Sequence, residues 1–479
     1  MKILFVASEC APFVKTGGLA DVIGAVPKSL KAHGAEARVM LPVYPALRPL
    51  ADKAREVWQD ADLMGGDARL LACTDEGIDL LLLDAPHLFD RAGAIYLGPD
   101  GRDWPDNAER FAGLSRAAAA VGTGALDDWM PDLVHMHDWQ AGLVPAYMSQ
   151  ISDQPAPTVM TIHNIAFQGL FDRRIIKKLG LASRHYTRDG AEFWGQLGFL
   201  KAGLAMADRI TTVSPTYARE LMLPEFGLGL EGLMRHRRDD LTGILNGIDT
   251  DVWDPANDPD IAAPYSARGL RGKQKNQRAL MKRFGLRDGD GPLFCVISRL
   301  TTQKGLDLLL EALPWLVSNG GRLALLGSGE RDLETGFAAA AHKWPGSVGT
   351  VIGYDEPLSH LMQAGSDAIL IPSRFEPCGL TQLYGLRYGT LPVVARTGGL
   401  ADTVIDANEA AMAAGVATGV QFAPVTTAAL EDAIARTCDL YRQPAVWTAM
   451  MRRAMKHPVG WDTAAGQYMA LYRSLADSD

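Results

Sequence analysis

From its first residues to its last, the chain alternates short apolar runs with longer segments at helical spacing. In the first half the runs fall at 2–8, 38–42, 79–83, 133–137, 158–162 and 209–213. In the second half they fall at 293–298, 322–326, 348–351, 368–372, 391–395 and 420–422. Several are near-continuous Val/Ile/Leu, as strands covered on both faces require. Such strands run parallel, and each return needs a crossover, here the helical segment that follows. The expected fold class is α/β: two Rossmann-like, doubly wound parallel-sheet domains facing each other across a cleft.

A chain of 479 residues is long enough for two such domains. The boundary is expected at Leu245-Asn246-Gly247-Ile248-Asp249. Residues 251–271, rich in Pro, Asp and Ala, read as a linker into a basic helix at 272–284. His457-Pro458 breaks a helical pattern, and apolar and aromatic residues then recur at helical spacing over 461–475. The domains are therefore placed at 1–245 and 246–457, with 458–479 as a terminal helix crossing back to the first.

Charge and cysteine usage exclude several functions. A formal net charge of −9 argues against non-specific nucleic-acid binding. It does not exclude an anionic small ligand, which a few cations in a cleft can hold. Five scattered cysteines without a C-x-x-C pair give neither a disulfide framework nor a zinc site. No apolar stretch is long enough for a membrane span. The opening residues read as a first strand rather than a signal peptide, so a cytoplasmic protein is expected.

Ligands of open α/β sheets bind beyond the carboxyl ends of the strands. Arg299 and Lys304 flank a loop of this kind, followed by a helix at 306–315. A guanidinium, an ammonium and a helix N-terminus together suit a diphosphate. Lys15-Thr16-Gly17-Gly18 offers a cation and two glycines, which let a backbone come close to a ligand. Glu376, before Pro377-Cys378-Gly379, could accept a sugar hydroxyl, and Thr381 stands where a helix begins. His163-Asn164 ends a strand and reads as a polar pair near the substrate. His135, His137 and Asp138 form an H-x-H-D pattern, but no further ligands complete a metal set, and both histidines share a strand face expected to pack on a helix. No metal and no cofactor are expected. The Gly-Gly motif recurs as Arg396-Thr397-Gly398-Gly399-Leu400-Ala401-Asp402.

Taken together and in this order, the motifs KTGGL (15–19), HMHDW (135–139), TIHN (161–164), LNGID (245–249), SRLTTQKG (298–305), RFEPCGLTQL (374–383) and RTGGLAD (396–402) resemble those of the glycogen and starch synthase family. The resemblance covers residues 1 to about 475. It implies the two-Rossmann GT-B architecture and retaining transfer of glucose from ADP-glucose to an α-1,4-glucan such as glycogen. It also implies roles for residues. Arg299 and Lys304 hold the diphosphate, reached from the first domain by Lys15 and Gly18. Tyr354 stacks on adenine. Glu376, His163 and Asp138 bind the transferred glucose. Gly17, Asp21, Asn164, Asn246, Thr381 and Leu383 complete the donor site, and Tyr96, Asp103 and Asn107 lie toward the acceptor. The partners implied are the nucleotide-sugar and the glucan, not nucleic acid or membrane. One departure from the wider retaining superfamily is that Tyr384, not a second glutamate, follows Glu376 by eight positions.

A dinucleotide enzyme should carry G-x-G-x-x-G after the first strand, where this chain has Glu9-Cys10-Ala11-Pro12. A non-catalytic glucan- or nucleotide-binding module would not need Arg299, Lys304 and Glu376. A sucrose- or trehalose-forming transferase on the same fold would be told apart by its products.

Overall fold

A computed structural model describes residues 1–476. The chain divides into two compact units, Met1–Asn246 with Trp461–Asp479, and Gly247–Gly460.

The first unit is built on a nine-stranded sheet. Lys2–Val6 lies at its middle, paired in parallel with Glu36–Pro42 on one side and Leu133–His137 on the other. Its residues Ile3 to Val6 are fully buried, as the unbroken apolar run requires. Beyond Leu133–His137 come Thr158–Ile162, Arg209–Thr212 and Leu241–Gly243, all parallel. Beyond Glu36–Pro42 comes Ile78–Asp84, also parallel. The chain thus builds outward one way from its first strand and then the other. The point of reversal lies between Lys2–Val6 and Leu133–His137.

Three features of this unit differ from the sequence expectation. Ala68–Asp75 and Arg55–Asp60 extend the sheet as antiparallel strands. Leu241–Gly243 adds a parallel edge strand. A separate antiparallel sheet joins Leu170–Asp172, Gln196–Gly198 and Glu192–Phe193. These strands are short or half-exposed, so none carries the continuous apolar run that marks a covered parallel strand.

The terminal helix Asp462–Ala476 packs within this unit, against the helix Gly18–Lys31 and the sheet. Tyr472 is fully buried, and its hydroxyl is 2.7 Å from Nδ1 of His135, whose Nε2 is 2.6 Å from Thr161 Oγ1. Protein hydroxyls therefore take both ring nitrogens of His135, leaving neither for a metal. Tyr472→Phe should strand Nδ1 of a buried histidine and destabilise this unit by ~1–3 kcal/mol. Thermal unfolding would show this as a lowered midpoint for the unit's transition.

The second unit has six parallel strands in the spatial order Val348–Ile352, Arg322–Gly327, Leu293–Ile297, Ala368–Ile371, Leu391–Ala395, Val420–Phe422. Numbered along the chain this is the doubly wound order 3-2-1-4-5-6. Its reversal lies between Leu293–Ile297 and Ala368–Ile371. Residues 251–270 form turns without regular elements and lead into the helix Arg271–Phe284. Among the described residues no helix is long and apolar enough to cross a membrane.

Candidate active site

At the reversal point of the second unit, the loops after its first and fourth strands stand side by side. They line a cavity of about 190 Å³ whose walls include Arg299, Lys304, Ser373, Glu376 and Thr381. Two ties brace the loops. Arg374 donates to both carboxylate oxygens of Asp307, at 2.6 and 2.7 Å, and to the Thr302 carbonyl at 2.6 Å. The Arg374 amide donates to the Gln303 carbonyl at 2.9 Å. Gly305 closes the approach: it sits at φ +67°, and a Cβ there would lie 1.9 Å from the Pro372 carbonyl oxygen. Only glycine fits that turn.

Within the cavity, Lys304 Nζ donates to Glu376 Oε2 at 2.5 Å, and Ser373 Oγ donates to the same oxygen at 3.0 Å. Glu376 is buried and Lys304 nearly so. Arg299 is exposed and has no ion pair among the described residues. The helix Thr381–Tyr388 begins at the same wall, and among the described residues no side chain caps its first amides. A fixed cation, a free cation and a helix N-terminus around one buried carboxylate suit a ligand with an anionic end and a hydroxylated end.

Two further residues of the sequence set belong to this unit. Tyr354 follows the strand Val348–Ile352 and is 79% exposed, with its ring free to stack. Leu383 is buried in the hydrophobic core, so only its backbone could reach a ligand.

The reversal point of the first unit collects the other candidates. Glu9 follows the first strand and is buried. Its carboxylate accepts from the Thr16 amide at 2.5 Å, Thr16 Oγ1 at 2.6 Å, the Gly17 amide at 3.1 Å and Tyr96 Oη at 2.6 Å. The Gly-Gly loop is thus moulded around an internal carboxylate. Its Thr16 and Gly17 amides point inward at Glu9, away from any ligand. The orphan amides left are those of the helix that starts at Gly18. A Cβ on Gly17 or Gly18 would meet nothing within 4 Å, so these glycines border open space. Lys15 is exposed and pairs with Asp21 at 2.8 Å. Glu9→Gln should loosen the loop. Hydrogen exchange at Thr16 and Gly17 should quicken by roughly 10-fold or more, as expected for a lost charge-assisted bond of ~1.5–3 kcal/mol.

Asp138 ends the strand Leu133–His137 at φ +56° and ψ −173°, a strained position for a residue with a Cβ. Its Oδ1 accepts from the His163 amide at 2.8 Å. Burial nevertheless dominates and pushes its carboxyl up to about 7. His163 is held down at about 3 by burial and is therefore neutral across the physiological range. Its Nε2 lies 2.9 Å from His137 Nδ1. Asn164 turns its Oδ1 to the Ala166 amide, 3.0 Å away.

The acceptor-side residues separate. Asp103 is exposed. Tyr96 donates its hydroxyl to Glu9 and lies 2.7 Å from Ser8 Oγ. Asn107 is buried, donating to the Tyr96 carbonyl at 3.1 Å and accepting from Arg110 at 2.7 Å. Asn107 thus supports Tyr96 from behind rather than facing open space. Asn246 is half-buried, and its Oδ1 has no hydrogen-bond partner among the described residues.

Sequence reasoning did not single out Glu9 or Ser373. A signal existed in both cases, since each is a polar residue at the carboxyl end of a strand beside a reversal point. The two Gly-Gly copies also differ. Gly398 and Gly399 are pressed against the backbone of residues 376–378, with Gly399 donating to the Glu376 and Pro377 carbonyls. The second copy therefore shapes the Glu376 loop, whereas the first borders open space.

Comparison with known proteins agrees with this architecture. Residues 2–236 match the starch synthase catalytic domain family, and residues 277–452 match glycosyl transferases group 1. A glycogen synthase of Roseobacter denitrificans is 66% identical over 99% of both chains. One from Rhodopseudomonas palustris is 55% identical, again over 99% of both. Among solved structures, the catalytic domain of starch synthase IV from Arabidopsis thaliana, bound to ADP and acarbose, aligns over 99% of both chains with a TM-score of 0.86 and 30% identity. The two parallel sheets, their reversal-point sites and this full-length similarity lead to one conclusion: the chain belongs to the glycogen and starch synthase family of glycosyltransferases.

Proposed function

We propose that the protein transfers glucose from ADP-glucose to the non-reducing end of an α-1,4-glucan, with retention at the anomeric carbon and release of ADP. The observation that carries this reading is the braced cavity of the second unit, with Lys304, Arg299 and the Thr381 helix start around Glu376. A nucleoside diphosphate gains charge as the glycosidic bond breaks. Cations held in place beforehand therefore favour the transition state over the ground state. Arg299 and Lys304 take the diphosphate, Tyr354 the adenine face, and Glu376 a sugar hydroxyl. In the first unit, Asp138 and His163 address the transferred glucose, and the Gly18 helix start with Lys15 addresses phosphate. Tyr96 and Asp103 lie toward the acceptor.

No carboxylate in this set has a position that marks it as a nucleophile. We therefore favour front-face displacement, in which the departing phosphate oxygen takes the proton of the incoming glucan hydroxyl. Trapping a glycosyl adduct on Asp138 or Glu376 would overturn that step. The positive charge comes from side chains, so the reaction should proceed in EDTA without a metal, in the cytoplasm where nucleotide-sugars are made.

The decisive assay follows labelled glucose from ADP-glucose and from UDP-glucose into glycogen. Faster incorporation from ADP-glucose supports the reading. Incorporation only into small sugars would replace it with a sucrose- or trehalose-forming activity.

A further inference from the structure

His135 and His137 share one face of a buried strand, yet their surroundings differ. Two hydroxyls satisfy His135 at both nitrogens. Among the described residues His137 has a single polar contact, its Nδ1 lying 2.9 Å from Nε2 of His163. Its own Nε2 is buried and has no hydrogen-bond partner among the described residues. The ring stacks on Phe5 at 5.6 Å between centroids and tilts against His135 at 4.2 Å. Burial keeps both members of the pair neutral, so each ring carries one proton.

Two proton arrangements satisfy the 2.9 Å contact. In one, His163 donates from Nε2 to His137 Nδ1. The proton of His137 must then sit on Nε2, as a buried N–H with no acceptor beside an aromatic ring. In the other, His137 donates from Nδ1, and its orphan Nε2 is only a lone pair. Buried N–H groups without an acceptor are rarer than under-used acceptors, because a polarised hydrogen stripped of water has nothing to replace it. The second arrangement is favoured. It makes His163 Nε2 an acceptor and moves the His163 proton to Nδ1. That nitrogen has no protein partner among the described residues, on a side chain that is only half-buried.

We infer that His137 is a positioning residue that locks His163 in the Nδ1–H tautomer, so that His163 meets its ligand as a hydrogen-bond donor. Combined with the proposed function, on which this last part rests, the ligand group is a sugar hydroxyl oxygen, and His163 is not a base at that position. The H-x-H pattern of the strand thereby acquires a use other than metal binding. One histidine anchors the strand to the terminal helix, and the next sets the proton of a third histidine across the neighbouring strand.

The direct test is the ring-nitrogen NMR spectrum of the 15N-histidine-labelled full-length protein, with His163 assigned by its loss in His163→Ala. The expected spectrum has His163 protonated on Nδ1 at neutral pH; protonation on Nε2 overturns the inference. Kinetics supply a second test. The Nδ2 of an asparagine occupies nearly the place of a histidine Nδ1, so His137→Asn can keep the donor, whereas His137→Leu removes it. His137→Leu should lower kcat about 10-fold or more while the KM for ADP-glucose moves less than about twofold, and His137→Asn should recover most of that loss. Equal kcat in wild type and His137→Leu overturns the positioning role. If His163→Ala itself leaves kcat and KM unchanged while the wild-type spectrum shows Nδ1–H, the sugar-facing assignment falls and the tautomer assignment survives.

Discussion

Lys304→Ala should lower kcat/KM for ADP-glucose by on the order of 10²–10³-fold, or ~3–4 kcal/mol of transition-state stabilisation, as loss of one preorganised charge donor does. Lys304 Nζ is 2.5 Å from Glu376 Oε2, and both side chains are largely buried. The ammonium is therefore held still before a ligand arrives and needs little reorganisation during reaction. The same geometry adds a stability cost. Without Lys304, Glu376 retains among the described residues only Ser373 as a donor, and the second unit should lose up to ~3 kcal/mol. Lys304→Ala with Glu376→Gln separates the two effects. The second substitution removes the stranded charge and should restore the melting temperature without restoring transfer. Lys304→Arg should not rescue either, because a planar guanidinium does not fit the place of a compact ammonium between Ser373 and the loop. A Lys304→Ala enzyme within twofold of wild type would remove the diphosphate site from this cavity.

The parallel strands were legible because burial on both faces leaves an unbroken signature. Ile3 to Val6 and Leu323 to Leu326 are apolar at every position and almost wholly buried. Arg55–Asp60 and Ala68–Asp75 were not, because a half-exposed antiparallel pair mixes Arg, Glu and Asp into the pattern. Likewise, Arg299, Lys304 and Glu376 could be read as candidates because each is a charged residue at a strand's carboxyl end. What could not be read is partnership across sequence distance. Glu9 meets a tyrosine 87 positions away, and His137 meets a histidine 26 positions away. Only the sheet order makes those pairs neighbours. Leu383 shows a different limit: its place in a motif suggests ligand contact, but the motif does not tell side chain from backbone, and the side chain fills the core.

The second large effect is expected at Asp138, where activity and stability should move in opposite directions. Burial raises its carboxyl to about 7 although the His163 amide hydrogen-bonds to it. If the carboxylate is the form that holds the sugar, kcat/KM should rise with pH through about 7 as the proton leaves. Asp138→Asn should flatten that limb, since an amide has no proton to lose there, and should lower activity about 100-fold at pH 8. The amide oxygen can still accept from His163, and asparagine, with the shape of aspartate, meets the same backbone strain at φ +56° and ψ −173°, so the variant should fold. The linkage has a definite sign. The folded pKa lies above the unfolded value of ~3.9, so the native state holds the proton more tightly between about pH 4 and 7. This group's contribution to stability is complete below about 4 and is lost as pH rises through about 7. At pH 8 the wild type carries a buried charge that Asp138→Asn lacks, and the variant should melt higher; the gap should narrow as pH falls to 5 and close near 4. Equal melting temperatures at both pH values, or an acid limb that persists in Asp138→Asn, would show that another group controls the titration.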